Sequence, residues 1–472
     1  MATGNRSLVI ALTLIATLGG LLFGYDTAVI SGAISSIDAN FINPRNLDEA
    51  ARNSLSGFTI SSALWGCVLG GLIAGWIGDR LGRRPGLMLA AAMFLICSIG
   101  SAWPELGLGA VGSMGTAALL PFNIYRVIGG IGVGMASLLA PLYIAEIAPP
   151  KERGQLVSYQ QLAIVGGMML VYFVNYAIAA HGDEAWLHAS GWRWMLASEA
   201  VPALLFLVLL LGVPDSPRWL VMKSRDAEAR ALLTRLTDAA EARLVLREIE
   251  ESLVVKHERL FHFGGLVILV GVLLSVFQQL VGINAVLYYA PLMFKNMGSS
   301  TDSALLQTVI VGVANVVFTV VAMLSVDRWG RKPLLILGAI IMAVAMLSLG
   351  ALFNAHNMGT TSLLMVILYI AGFALSWGPI VWVMLAEIFP NSIKGVAMGL
   401  AVAVQWFANL AVSWSFKVLD GNSALNAQFN HGFAYFVYGV MSILAALFVW
   451  RYVPETKGRH LEQIQNLWRR TH

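Results

Sequence analysis

The chain has 472 residues, of which 58% are hydrophobic and 12% charged, with a formal net charge of +4. A soluble domain carries about 25% charged residues, so this composition excludes an ordinary water-soluble globule and makes lipid the expected solvent. The small positive excess does not mark a nucleic-acid binder, and the two cysteines, Cys67 and Cys97, lie in apolar runs as buried thiols rather than a disulfide framework or a metal site.

A membrane-spanning helix needs about 20 mostly apolar residues. Twelve segments meet that requirement, near 8–33, 56–78, 86–103, 117–143, 156–180, 192–213, 262–291, 303–326, 333–353, 362–389, 395–418 and 431–453. They predict an all-α membrane protein. The first segment is too long for a signal-peptide core, contains Gly24-Tyr25-Asp26 and lacks a small-residue cleavage pattern, so it is read as a span. Segment 214–259 is rich in Arg, Glu and Ala, with apolar residues at helical spacing as in Ala231-Leu232-Leu233 and Leu236. That pattern predicts short amphipathic helices joining two membrane parts. The expected organisation is an N-terminal six-helix half (1–213), a cytoplasmic helical linker (214–259), a C-terminal six-helix half (260–453) and a cytoplasmic tail (454–472).

Lys and Arg in short loops favour the cytoplasmic side. With the N-terminus inside, the inner loops hold Arg80, Arg83, Arg84, Lys151, Arg153, Arg328, Arg331, Lys332 and Lys394, whereas the outer loops hold Arg45, Arg52 and Lys295. Both termini are therefore expected in the cytoplasm.

The halves repeat one another. Gly78-Asp79-Arg80-Leu81-Gly82-Arg83-Arg84-Pro85 returns as Val326-Asp327-Arg328-Trp329-Gly330-Arg331-Lys332-Pro333, and Ala145-Glu146-Ile147 returns as Ala386-Glu387-Ile388. Arg153-Gly154 returns as Lys394-Gly395, and Pro214-Asp215-Ser216-Pro217 is matched by Pro454-Glu455-Thr456. Duplicated helical halves with a solute site between them are a common transporter design. The repeated charges predict a cytoplasmic latch built from Asp79, Arg80, Arg84, Glu146, Arg153, Asp327, Arg328, Arg331, Glu387 and Lys394. In this reading Asp79 sits near Arg80 and Arg84, and Glu146 lies two helical turns from Arg153. Exposed pairs contribute about 0–1 kcal/mol each, which suits a latch that opens every cycle.

In order along the chain stand Gly-x-x-x-Asp-Arg-x-Gly-Arg-Arg at 75–84, Arg-x-x-Gly-Gly at 126–130, Pro-Asp-Ser-Pro-Arg-Trp-Leu at 214–220 and Pro-Glu-Thr-Lys-Gly at 454–458. Together they resemble the sugar-porter branch of the major facilitator superfamily over nearly the whole chain. Within that branch, the stretches 18–32 and 277–289 are most similar to bacterial D-xylose–proton symporters. The resemblance implies the major facilitator fold and proton-coupled import of a pentose or hexose by alternating access, with D-xylose favoured and D-glucose open. A facilitative uniporter and a transporter-like sugar sensor are the alternatives; the short tail after Pro454 argues against the sensor.

Polar side chains inside spans are costly and usually functional. Amides both donate and accept, as sugar hydroxyls do, and aromatic rings suit the apolar C–H faces of a sugar. Gln161, Gln278, Gln279, Asn284, Tyr288, Asn315, Trp382, Gln405 and Trp406 fit that demand. Asn284 and Tyr288 are four apart and share a helix face. Gly282, Gly378, Pro379 and Pro291 are expected to break or bend helices at that depth. Met168 stands where the resemblance implies a second glutamine, seven residues after Gln161, and loosens the tie to D-xylose.

Asp26 lies deep in the first span, and Arg126 is the strongly basic residue expected at a similar depth in the same half. Such a pair can hold the carboxylate charged and separate on protonation. The resemblance implies the same role, since proton-coupled members carry Asp here and facilitative animal members carry Asn. Glu199 is assigned to the latch with Glu146 and Glu387. No catalytic, cofactor or metal site is expected: His181, His188, His356, His431, His257 and His262 show no metal-ligand spacing. The expected partners are a sugar, a proton and the bilayer of the inner membrane, with the protein acting as a monomer.

Overall fold

The computed structural model describes residues 6–149, 152–254, 260–261, 264–390 and 393–457. Among these, twelve helical segments are long and apolar enough to cross a membrane: Arg6–Arg45, Ser62–Arg80, Arg83–Ala102, Gly115–Ile147, Gln155–Ala179, Glu184–Leu210, Gly265–Asn296, Thr301–Ser325, Arg331–Asn354, Thr360–Ile388, Lys394–Asp420 and Phe433–Tyr452. We number these as spans one to twelve. No strand occurs among the described residues. An even number of crossings brings the start of span one and the end of span twelve to the same face, called here the terminal face.

The first six spans pack mainly on one another, as do the last six. Spans two and three lie against span four, and span one lies against span five. The span two–four crossing shows why glycine is so frequent. A Cβ on Gly66 would fall 2.0 Å from the Val127 carbonyl oxygen, and one on Gly130 would fall 1.8 Å from that of Ala63. The two backbones touch, and dispersion contacts at that range replace the hydrophobic drive that lipid removes. The halves meet where span one faces seven, two faces eleven and five faces eight.

Between the halves, the sequence-predicted helical connection forms three helices, Pro217–Met222, Asp226–Leu236 and Ala239–Val254. Ala229, Leu232, Leu233 and Leu236 are buried, in keeping with the apolar stripe. Residues 255–259 and those after Lys457 lie outside the described residues, and with them most of the expected tail.

Candidate functional site: an amide-lined cavity beside a buried charge cluster

Two spans are interrupted at mid-depth. In span seven the helix Gly265–Leu280 ends, Gly282 takes φ 93°, and a second helix runs Ile283–Asn296. Left-handed backbone of this kind suits glycine, and the break turns Gln278 and Gln279 toward Asn284 across it. In span ten, the helix Thr360–Leu375 stops at Ser376 and a new one starts at Trp377, so Gly378 and Pro379 occupy its first turn. Pro291 does not end its helix; it lies inside Ile283–Asn296.

A cavity of about 100 Å³ sits between the halves at these breaks. All ten side chains expected at the solute site line it: Gln161 and Met168 from span five, Gln278, Gln279, Asn284 and Tyr288 from seven, Asn315 from eight, Trp382 from ten, and Gln405 and Trp406 from eleven. Four of the amides, Gln278, Gln279, Asn284 and Gln405, form one network. Gln278 Nε2 donates to the Trp377 carbonyl at 2.8 Å, Asn284 Nδ2 donates to Gln279 Oε1 at 2.6 Å, and Gln405 Nε2 donates to Gln278 Oε1. Among the described residues, Gln405 Oε1 and Trp406 Nε1 are buried without a partner, as befits groups able to bond a solute. Phe23 and Trp406 pack with ring centroids 5.5 Å apart and join the halves over the cavity.

Sequence reasoning missed Phe23, Thr319 and Asn409, which also line the cavity. Asn409 carried a signal, being a polar residue four positions after Gln405 on the same helix face. Its Nδ2 is 3.5 Å from the Tyr288 hydroxyl, and its Oδ1 accepts from Ser413 at 3.0 Å.

Three residues beyond Phe23 is Asp26, fully buried. Arg126 grips it twice: NH1 donates to Asp26 Oδ1 at 2.7 Å and NH2 donates to its backbone carbonyl at 2.9 Å. The Cys97 thiol is 3.6 Å from Asp26 Oδ1. Glu199, expected in the latch, belongs here instead. It is 1% exposed, and a carboxylate oxygen of Asp26, one of Glu199 and the Cys97 sulfur lie within 4.8 Å of one another. The misassignment arose because position along a span gives depth but not neighbours. Two carboxyls and one guanidinium are neutral with one proton bound and carry one negative charge with none. Binding or loss of a proton there would change a buried charge, which low-dielectric surroundings make consequential.

At the terminal face the charges close differently from expectation. Asp79 does not pair with Arg80 or Arg84. Arg80 lies over the Trp76 ring at 5.3 Å, and Arg84 donates to the carbonyls of Leu210 and Leu211. Arg83 does the pairing: it meets Asp79 at 3.0 Å and clasps Glu146 with two bonds of 2.9 and 3.0 Å. The repeat contained the clue, because Arg83 aligns with Arg331, which pairs with Glu387 at 3.1 Å. The same symmetry extends to the following motif. Asp215 accepts the Arg83 backbone N–H, and Glu455 accepts those of Arg331 and Lys332. Arg328 offers its carbonyl to Lys457, and Lys394 begins span eleven half-buried. The side chains of Arg153 and Asp327 lie outside the described ones, so the expected Glu146–Arg153 contact does too.

Two six-span halves, joined by a helical connection and enclosing a polar cavity at helix breaks, define a transporter of the major facilitator type. Residues 12–468 match the family model described as "Sugar (and other) transporter". The chain is 54% identical to the D-xylose-proton symporter of Escherichia coli (strain K12) over 98% of this chain and 96% of that one. It is 50% identical to the glucose facilitated diffusion protein of Zymomonas mobilis, covering 98% of each. Its fold matches the partially occluded inward open conformation of the xylose transporter XylE from E. coli with a TM-score of 0.88, at 51% identity, over 96% of this chain and 100% of that one. The chain belongs to the sugar transporter family.

Proposed function

We propose that the protein imports a monosaccharide, D-xylose foremost, together with a proton, by exposing the central cavity alternately to either face. The observation that carries this reading is the adjacency of two sites on span one. Phe23 lines the amide cavity, and Asp26, about 4.5 Å further along the helix axis, anchors the buried Arg126–Glu199 cluster. A change of charge at Asp26 therefore acts on the span that forms one wall of the sugar site. Gln161, Gln278, Gln279, Asn284, Asn315 and Gln405 would bond sugar hydroxyls, with Tyr288 adding a phenol, while Trp382, Trp406 and Met168 would cover apolar faces. Asp26 would carry the proton, with Arg126 as its ion-pair partner and Glu199 as the second carboxyl of the set. Arg83 joins the predicted gate residues as a clasp at the terminal face.

The loop-charge asymmetry supports a cytoplasmic position for that face, and the bacterial relatives support an inner-membrane location. The protein would act as a monomer surrounded by lipid. The reading assigns transport and no covalent chemistry.

In proteoliposomes, D-xylose and D-glucose should compete for uptake, and sugar addition to weakly buffered cells should make the medium alkaline. Asp26→Asn should abolish accumulation against a gradient and keep sugar exchange. Accumulation by that variant would remove Asp26 from the proton path. One observation favours a second reading, facilitated diffusion of a hexose: Met168 lines the cavity where an amide is expected for D-xylose. Uptake without any pH change would select it.

A further inference from the structure

The halves are joined by charge and hydrogen bonds at the face opposite the termini. Asp38, in the turn closing span one, lies with Oδ2 2.9 Å from Lys417 Nζ near the end of span eleven, and its Oδ1 accepts from Ser56 at 2.5 Å. The two charged side chains are only 19% and 11% exposed. Around them, Asn53 donates to the Gly421 carbonyl at 2.7 Å, Glu49 accepts from the Ser423 backbone N–H at 2.7 Å, and Trp414 Nε1 donates to the Ser54 carbonyl at 3.0 Å. A looser, more exposed pair, Lys295–Glu184 at 3.4 Å, crosses the halves further round. By contrast, the ion pairs described at the terminal face, Arg83 with Asp79 and Glu146 and Arg331 with Glu387, each close within one half.

Opening the cavity toward the opposite face requires spans one and two to leave span eleven, so Lys417 must leave Asp38. A neutral contact would lose little when water enters. This pair loses a short charged bond and regains hydration, so its net strength biases the two states. Resting on the alternating-access reading, we propose that Asp38–Lys417 is the latch of this face. Its strength sets the fraction of molecules open there, and both residues act as positioning residues without touching the sugar.

The latch is tested by thiol accessibility. Ser31 is 3% exposed and lines a small cavity beneath this face, and the native Cys67 and Cys97 are fully buried. A Ser31→Cys protein is sealed into vesicles with this face outward and treated with a membrane-impermeant charged methanethiosulfonate. Asp38→Asn and Lys417→Met should each raise the labelling rate about fivefold or more, the range of an ordinary coupling between sites. The double variant should exceed either single one by less than about twofold, because the second change removes a bond already lost. Labelling of the single variants at the parent rate, or multiplication of their effects in the double variant, overturns the latch. Sugar counterflow in the same vesicles reports folding and separates the two ideas. Labelling as expected with no monosaccharide exchanged by the parent keeps the latch and removes the sugar reading. Exchange with unaltered labelling does the reverse.

Discussion

Side-chain chemistry explains which parts of the site could be read from sequence. An amide in an apolar span stands out because lipid offers it no partner, and all the amides chosen on that ground face one cavity. Phe23 gave no such signal, since a phenylalanine in a span is ordinary until its neighbour, Trp406 from the other half, is known. Glu199 was visible as a buried acid, but its partnership with Asp26 joins residues 173 positions apart and exists only in three dimensions. Two outcomes follow at single positions. Glu199→Gln leaves one titratable carboxyl beside Arg126. It should keep sugar counterflow while lowering proton-driven accumulation by about tenfold, an energy of about 1.4 kcal/mol, and accumulation equal to the parent's would exclude Glu199 from the set. Met168→Gln adds a donor and an acceptor to the cavity wall. It should raise the D-xylose over D-glucose preference several-fold in competition assays; an unchanged ratio would mean this wall does not contact the sugar.

Whole helices were legible because each is a long apolar run, and their interruptions were partly so. Gly282 breaks span seven as its conformational freedom suggests, whereas Pro291 is absorbed inside a helix whose neighbours tolerate it. The repeat pointed to the helix-end clasps, although the arginine that makes the first one is Arg83, not Arg80 or Arg84. Arg83 is 3% exposed and bonds Glu146 with two nitrogens, so lysine cannot replace it in kind. Removing one partner of a buried pair costs about 3–5 kcal/mol. Arg83→Ala should therefore lower the thermal midpoint in detergent by several degrees, and Arg83→Lys should recover only part of the loss. Equal midpoints for all three proteins would show that the clasp adds nothing to stability.

For the molecule as a whole, the sequence announced two equivalent halves but not how they lock, because the seal joins span eleven to the end of span one and to the helix Glu49–Ile60 through residues outside the repeat. One hydrogen-bonded pair on that face joins a titratable imidazole to a carboxylate. His431 Nδ1 lies 2.9 Å from Asp420 Oδ1, and this hydrogen bond lifts the imidazole above its ordinary value of 6.5, with burial opposing. A raised pKa stabilises the folded protein fully below the unfolded value, and the gain disappears as pH rises through the folded one. His431→Gln should thus lower the thermal midpoint at about pH 6 and converge with the parent by about pH 9; a gap that widens with pH would reverse the sign. The self-contained clasps have one more consequence. Asp215 closes the clasp of the first half, and Glu455 and Glu387 close that of the second. Each half thus carries the described partners of its own clasp. The chain between them turns at Ser224, a non-glycine residue at φ 58°, between two exposed helix ends. A gene cut at that turn should yield two polypeptides that insert separately and find each other in the bilayer, because what organises each one does not depend on the peptide bond that joins them.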